Sequence, residues 1–303
     1  MAYNCVVLIK QVPDTNRITV QAMNDDGTVN RAALPAIFNP EDLNALEMAL
    51  QIKDRFGGKV TVITMGLPAA ASVLRDSLYR GADDAVLITD RKCAASDTLA
   101  TSYILSCAVK KLKFDIVLCG RQAIDGDTAQ VGPQLAEKLG ITQLTYVQEL
   151  PQLNGKTITA RRNIGNGWQE VRSSLPVLLT VTGEANEPRV AAAKKLMKYK
   201  KARTPTEIEQ TVRAGNPNVT EAAAKELTGK LCTSLSQKDL LIKQWDLDII
   251  GADLNWCGRN GSPTKVHRIQ SVVLAAKETK TVEPTQAGLT GMIRELIEDK
   301  TIA

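Results

Sequence analysis

The chain has 303 residues, 44% hydrophobic and 23% charged, an ordinary globular balance that excludes disorder as the main state and leaves ample length for a buried core. One histidine excludes most histidine-based catalysis, and six scattered cysteines without C-x-x-C spacing exclude a metal ribbon or dithiol redox site. The net charge of +5 is concentrated in one stretch.

Aromatic residues make up only 4%, so the core is expected to be aliphatic. No apolar run approaches the ~20 residues of a membrane span. The opening MAYNCVVLIKQVPD lacks the basic n-region of a signal peptide. A reducing cytoplasm is the expected compartment.

In chain order, CVVLIK (5–10) has strand length and composition, and RITVQ (17–21) alternates like a hairpin arm. A helix follows from Asn39, an N-cap residue, with Pro40 at its first position, Glu41 and Asp42 in its first turn, and Gly57 and Gly58 as its stop. KVTVITMG (59–66) is a strand, PAAASVLRDSLYRG a helix, and DAVLIT (84–89) a strand. Asp97 opens the helix TLATSYILSCAVKKL, FDIVLCG (114–120) is a strand, and a helix is expected from Thr128 to Lys138. Near-continuous apolar strands alternating with long helices predict a parallel sheet covered on both faces.

From about 141 the strand-like segments TQLTYVQEL, KTITARRN, QEVRSSL and VLLTVT, joined by turns, predict an antiparallel extension of the same sheet. Residues 204–241 are expected to hold one capped helix, with Asn218 and Glu221 as a capping box. Residues 242–270 carry little periodicity, and GLTGMIRELIEDKTIA predicts a terminal amphipathic helix through Met292, Leu296 and Ile297. A loop-rich tail of this kind usually wraps something.

The charge excess lies in 189–203, where Arg189, Lys194, Lys195, Lys198, Lys200, Lys201 and Arg203 stand without an acid; the rest of the chain is slightly acidic. The run reads either as a solvated face or as a docking surface for an acidic partner. RNA binding would want interleaved aromatics, and Tyr199 is alone there. His267, beside Arg268 and near Lys265, reads as an exposed histidine in a basic loop.

Ligands of an open α/β sheet bind at the carboxyl ends of strands, beside a topological switch point. Here those ends carry Lys10, then Thr64, Met65 and Gly66, then Asp97 at a helix start, then GRQAIDGDTAQVGP (120–133). The last combines a strand, a polar glycine-bearing loop and a helix start. Free N–H groups and the Thr128 hydroxyl could hold a pyrophosphate, with Gly126 and Gly132 allowing close approach. It matches neither G-x-G-x-x-G nor the Walker pattern, and an ordinary βα loop is the other reading. Asn39 likewise reads as a helix cap or as a ligand contact. Asp125 and Asp127 lack a neighbouring nucleophile or metal partner, so hydrolysis is unsupported.

Together, VVLIKQVPDT, NPEDLNALEMALQIK, VTVITMGLP, GADDAVLITD, SDTLAT, GRQAIDGDTAQVGPQLAEKLG, LPVLLTV, NEPR and GSPTKV resemble the beta subunit of electron-transfer flavoproteins, over roughly 1–203 and 242–270. The resemblance implies an AMP-binding fold of the adenine-nucleotide alpha-hydrolase-like kind: a mostly parallel, doubly wound α/β sheet with an antiparallel extension and a C-terminal arm. It implies pairing with an alpha subunit that holds a mobile FAD domain. The segment Asp127, Thr128, Ala129, Gln130, Val131, Gly132 and Pro133 is similar to the bifurcating, FixA-like branch. That branch binds FAD in the beta subunit, takes hydride from NADH, and splits the electrons between a dehydrogenase or reductase (acyl-CoA dehydrogenase-like or FixC-like) and ferredoxin or flavodoxin. Structural AMP is the same-family alternative, and a stand-alone nucleotide-binding sensor is the alternative from another class.

By this resemblance Leu8, Ile9, Lys10, Asn39, Thr64, Met65 and Gly66 line the adenosine, and Asp127 to Gly132 cradle the pyrophosphate. Asp42, Asp97, Thr101, Gln122 and Ala123 complete the cofactor-binding set. The expected organisation is a flavin-binding domain (1–188), a basic partner-recognition loop (189–203), an added helical segment (204–241) and a C-terminal arm (242–303) around the alpha subunit. Two departures from the family pattern are the Gly165, Asn166, Gly167 turn after Arg161 and Arg162, and Ala193 where many members place a bulky apolar anchor.

Overall fold

Alternating burial along each strand shows how the sheet is built. In β1 (Cys5–Leu8), Cys5 and Val7 face one apolar cluster while Val6 and Leu8 face the other, the period-2 pattern of a strand buried on both sides. The computed structural model describes residues 1–14, 35–265 and 280–298. The expected hairpin arm at 17–21, and His267, lie outside the described residues.

After β1 the chain leaves the sheet through a small antiparallel pair, β2 (Gln11–Pro13) and β3 (Ala36–Phe38). It returns at Asn39, whose N–H donates to the Lys10 carbonyl at 3.0 Å. Helix α1 (Pro40–Phe56), β4 (Val60–Met65), α2 (Ala71–Arg80), β5 (Asp84–Ile88), α3 (Thr98–Val109), β6 (Ile116–Gly120) and α4 (Val131–Leu139) follow. Then come β7 (Thr142–Asn154), β8 (Thr157–Asn163), β9 (Trp168–Ser174) and β10 (Val177–Val181). Among the described residues, the main sheet runs β11-β5-β4-β1-β6-β10-β7-β8-β9, with β11 at Lys243–Trp245. Leu46, Leu50 and Leu74 of α1 and α2 pack on one face, and Ile104, Leu105 and Leu135 of α3 and α4 on the other. The helices therefore change face where β6 returns to the far side of β1. The switch point lies between β1 and β6.

The doubly wound α/β class matches the expectation, with four corrections. β10 does not belong to the antiparallel extension: it pairs in parallel with β6 and with β7, and in this sheet only the β7–β8 and β8–β9 pairings are antiparallel. Its run VLLTV, apolar but for Thr180, is fully buried, the signature of an interior parallel strand. The aperiodic stretch after 242 supplies the edge strand β11, parallel to β5. Residues 204–241 form two helices rather than one, α6 (Pro205–Gly215) and α7 (Glu221–Gln237), packed through Ile208, Val212 and Ala224. The capping box there is Thr204 with Glu207, while α7 is capped by Thr220 rather than Asn218.

Within the basic stretch, Ala193–Tyr199 form helix α5, which rests on α2 through an Ala192 N–H to Tyr79 carbonyl bond of 3.0 Å. Arg189 is held inside the chain by Glu47 at 2.7 Å and Asp54 at 2.9 Å. Burial tends to raise the Glu47 carboxyl, but the Arg189 hydrogen bonds outweigh it and hold the group below its ordinary value. The sign follows: a depressed carboxylate stabilises the fold above its unfolded pKa, and that contribution is lost as pH falls through its folded pKa. Glu47→Gln is expected to lower stability at neutral pH by about 2 kcal/mol, the scale of hydrogen bonds to a charged group. It should also reduce the acid dependence of the denaturant midpoint; a midpoint and acid limb equal to wild type would refute the anchor.

The short helices α8 (Leu247–Ile250) and α9 (Gly258–Gly261) close the described core, and α10 (Gln286–Glu298) is the expected terminal helix. Its apolar residues Leu289, Met292, Ile293 and Ile297 are exposed. No helix among the described residues is long and apolar enough to cross a membrane.

Candidate functional site

β1 and β6 pair directly from Cys5↔Ile116 to Val7↔Leu118. Beyond that register no further pair joins the two strands, and their carboxyl ends form the switch-point crevice of a doubly wound sheet. The first turn of α1 sits over it. Asp42, 7% exposed, reaches both banks: one carboxylate oxygen accepts the Lys10 N–H at 2.8 Å and the other the Gly120 N–H at 2.9 Å. Asn39 is fully buried and makes no side-chain cap bond. Its amide donates to the Gln122 carbonyl at 2.9 Å and its oxygen accepts the Ile124 N–H at 3.1 Å. Glu41 accepts the Gln122 N–H at 2.9 Å and pairs with Arg121 at 3.0 Å. Lys10 Nζ crosses the crevice to Asp125 at 2.7 Å.

The loop they hold is wound tightly at first, with the Gly126 and Asp127 N–H groups donating to the Ala123 carbonyl and the Gln122 amide donating to Asp127 at 2.9 Å. Its backbone then alternates. Asp127 and Ala129 have positive φ, 48° and 53°, whereas Gln130 has φ −101° and ψ −30°. Successive residues of opposite hand turn their N–H groups into a shared concavity, an anion-binding nest. Among the described residues, no acceptor within the chain meets the N–H groups of Thr128, Ala129, Gln130, Val131 or Gly132. The last two open α4, so the nest continues into a helix N-terminus. At the neighbouring strand end, the Thr64 hydroxyl is buried without a partner.

A profile of the electron transfer flavoprotein domain matches residues 26–224. The electron transfer flavoprotein subunit beta of Clostridium acetobutylicum is 38% identical over 299 residues, spanning 99% of this chain and 100% of that one. Protein FixA of Bradyrhizobium diazoefficiens is 37% identical over 289 residues, 93% and 86% of the two chains. An acryloyl-CoA reductase electron transfer subunit gamma from Anaerotignum propionicum is 48% identical over 187 residues, 60% and 69% of the two. The chain belongs to the electron-transfer flavoprotein beta-subunit and FixA-like family.

In this flavoprotein-family chain the expected site residues divide into groups. Lys10, Asn39, Asp42, Gln122, Ala123 and Asp127 meet at the crevice, and Thr64, Met65 and Gly66 end the strand beside β1. Leu8 and Ile9 are buried in the sheet. Asp97 is occupied by structure: it caps α3 through the Ala100 N–H at 2.9 Å and accepts from the Thr264 N–H and hydroxyl at 3.0 and 2.7 Å. Burial tends to raise its carboxyl, but these bonds outweigh that and hold it below the ordinary range. Thr101 lies one turn along the same helix.

One expectation about the loop is corrected. Helix α4 begins at Val131 rather than Thr128, because the positive φ at Asp127 and Ala129 is incompatible with a right-handed helix. Thr128 therefore stands in the exposed loop and caps nothing. The missing side chain at Gly132 is demanded by packing, since a Cβ there would lie 2.9 Å from both Cys119 Sγ and Thr180 Cγ2, while its N–H stays in the nest. Gln130, placed with the cradle, turns its side chain to α3, accepting from the Thr98 hydroxyl at 2.9 Å. Sequence reasoning missed Glu41 and Gly120 as site-building residues. The signal available was the acidic first turn of α1, which reads equally well as a helix-dipole partner.

Proposed function

We propose that this chain is the beta subunit of a heterodimeric electron-transfer flavoprotein, that it pairs with an alpha subunit in the cytoplasm, and that it holds FAD in the β1/β6 crevice. The observation that carries the reading is the run of five successive N–H groups, Thr128 to Gly132, without an acceptor among the described residues. The donor chemistry fits an adenine dinucleotide. A nest and helix start face the pyrophosphate, the unpartnered Thr64 hydroxyl faces the adenosine, and Lys10 stands at the mouth. Asp97 and Thr101 are the remaining proposed contacts.

When bound, FAD supplies two-electron uptake from NADH and onward transfer of single electrons, here assigned to bifurcation between a dehydrogenase-type partner and ferredoxin or flavodoxin. The chain's own residues bind and orient. Asp127 and Ala129 set the nest, Asn39 and Glu41 hold the preceding loop, and aliphatic strand ends exclude water from the crevice floor. No ionisable side chain in the crevice is needed as an acid or base, since the cofactor carries the redox chemistry. The FixA and acryloyl-CoA reductase names among the relatives support a partner of the FixC-like or acyl-CoA dehydrogenase-like kind. The exposed apolar side of α10 supports its use as an arm against the alpha subunit.

Acid extraction and chromatography of the purified heterodimer test the ligand. FAD at two per heterodimer is expected; AMP with a single FAD would replace this reading with the non-bifurcating one. The basic stretch gives a second expectation. Arg189 is already paired, but Lys194, Lys200 and Lys201 meet no carboxylate among the described residues. Neutralising Lys194, Lys195 and Lys198 together should slow association with the dehydrogenase partner and flatten its salt dependence, because rim charges steer encounter. Unchanged association kinetics in stopped flow would leave the stretch a solvated face.

A further inference from the structure

We infer that Asp42 is a positioning residue whose carboxylate clamps the carboxyl ends of β1 and β6 and so fixes the loop that offers N–H groups to the nucleotide. The inference rests on the nucleotide reading above. It differs from a ligand contact, because both carboxylate oxygens are already engaged by backbone.

The need for a clamp follows from the ladder. Direct pairing of β1 with β6 stops at Val7↔Leu118. The N–H groups of Lys10 and Gly120 lie just beyond, at the edge of the opening. Asp42 supplies an acceptor to each, at 2.8 and 2.9 Å. The same helical turn then grips the next residues in order: Glu41 the Gln122 N–H, Asn39 the Gln122 carbonyl and the Ile124 N–H. From there the Ala123 carbonyl and the Gln122 side chain set the turn that ends at Asp127, where the nest begins. The fit is close, since a Cβ on Gly120 would lie 2.6 Å from the Asp42 oxygen.

An ionised carboxylate only accepts hydrogen bonds, so it satisfies both N–H donors at once. A protonated one gives up one acceptor position to its O–H and offers both N–H groups only a neutral, weaker acceptor. The clamp is strongest when Asp42 is charged. The groups around it are Lys10 with its partner Asp125 on the β1 side, the Cys119 thiol of β6 beneath, and Asn39 and Glu41 of α1, the latter paired with Arg121. Burial pushes the Asp42 carboxyl up to about 7, against the Gly120 and Asn39 hydrogen bonds and the Lys10 N–H and ammonium that lower it. The clamp therefore loosens as pH falls through neutrality, and nucleotide affinity falls with it.

Asp42→Asn keeps the shape but offers one acceptor and two donors. The purified full-length chain is titrated with FAD and, separately, with AMP from about pH 8.5 to about 5.5. Wild-type affinity should fall about 10-fold between about pH 8 and about pH 6, one decade for a single linked proton. Asp42→Asn should bind about 10–100-fold more weakly at high pH, with a flat profile, while its thermal midpoint at pH ~8 stays close to wild type because a buried charge has been removed. Glu41→Gln should keep the wild-type pH slope. Affinity of Asp42→Asn equal to wild type, or weakened with the wild-type slope intact, overturns the clamp. Where Asp42→Asn does not fold, a wild-type affinity that is flat through neutrality overturns it as well. A wild-type chain that binds neither FAD nor AMP overturns the nucleotide reading itself, and the clamp with it.

Discussion

Gly120→Ala is expected to cost about 3 kcal/mol of stability, the upper range of overpacking, and to lower the thermal midpoint of a chain of this size by about 5 °C. The added methyl would sit 2.6 Å from Asp42 Oδ1 and 2.8 Å from both the Glu41 carbonyl carbon and its Cβ. The one side-chain end there, the Asp42 carboxylate, is held by backbone N–H groups on both oxygens. Relief requires moving the first turn of α1 off the sheet, and that turn also holds Arg121, Gln122 and Ile124. Nucleotide retention should therefore drop together with stability. Calorimetry and equilibrium dialysis check the two arms, and a midpoint within about 1 °C of wild type would show that α1 does not seat against Gly120.

Ala129→Pro should have the largest effect on ligand binding. Proline removes an N–H from the middle of the nest and fixes φ near −65°, whereas Ala129 has φ 53°. Losing one hydrogen bond to a charged group costs about 1.5–3 kcal/mol, or ~10–150-fold in affinity, and collapse of the αL conformation adds to that. The thermal midpoint of the ligand-free chain should fall only by the cost of the forced φ change, since the Ala129 N–H has no partner among the described residues to lose. Ala129→Gly is the matched control: it keeps the N–H, tolerates positive φ, and should bind FAD as well as wild type. Dialysis against FAD in which Ala129→Pro matches Ala129→Gly would move the pyrophosphate away from this nest.

The two substitutions act on different parts of one device. Gly120 and Asp42 govern where the loop starts, and Asp127 and Ala129 govern how it ends. Between them Asn39, a helix N-cap by position, spends its side chain on the loop instead of on its own helix. The helix gives up a local cap bond, a cost of about 1 kcal/mol in typical cases, and the loop gains an anchor on each side of Ala123.

Local chemistry alone determined much of this protein. The apolar runs at 5–10, 59–66, 84–89 and 114–120 specify buried parallel strands, because a strand covered on both faces has no polar side to show. Pro40 and Gly57 bound α1, and Asp97 opens α3, because helix ends demand those residues wherever they occur. Tertiary structure decided the rest. VLLTV reads the same whether a strand is parallel or antiparallel, and only its seat between β6 and β7 settles the matter. β11 is too short to carry a period and exists because the β5 edge offers it partners. Gly132 reads as a ligand-loop glycine, and only α4 laid on Cys119 and Thr180 shows that packing demands its missing side chain. Asn39 and Asp42 have ordinary helix-start identities, and their work at the crevice arises from Lys10, Gly120 and Gln122, brought to them across the switch point by a fold that no local window of sequence contains.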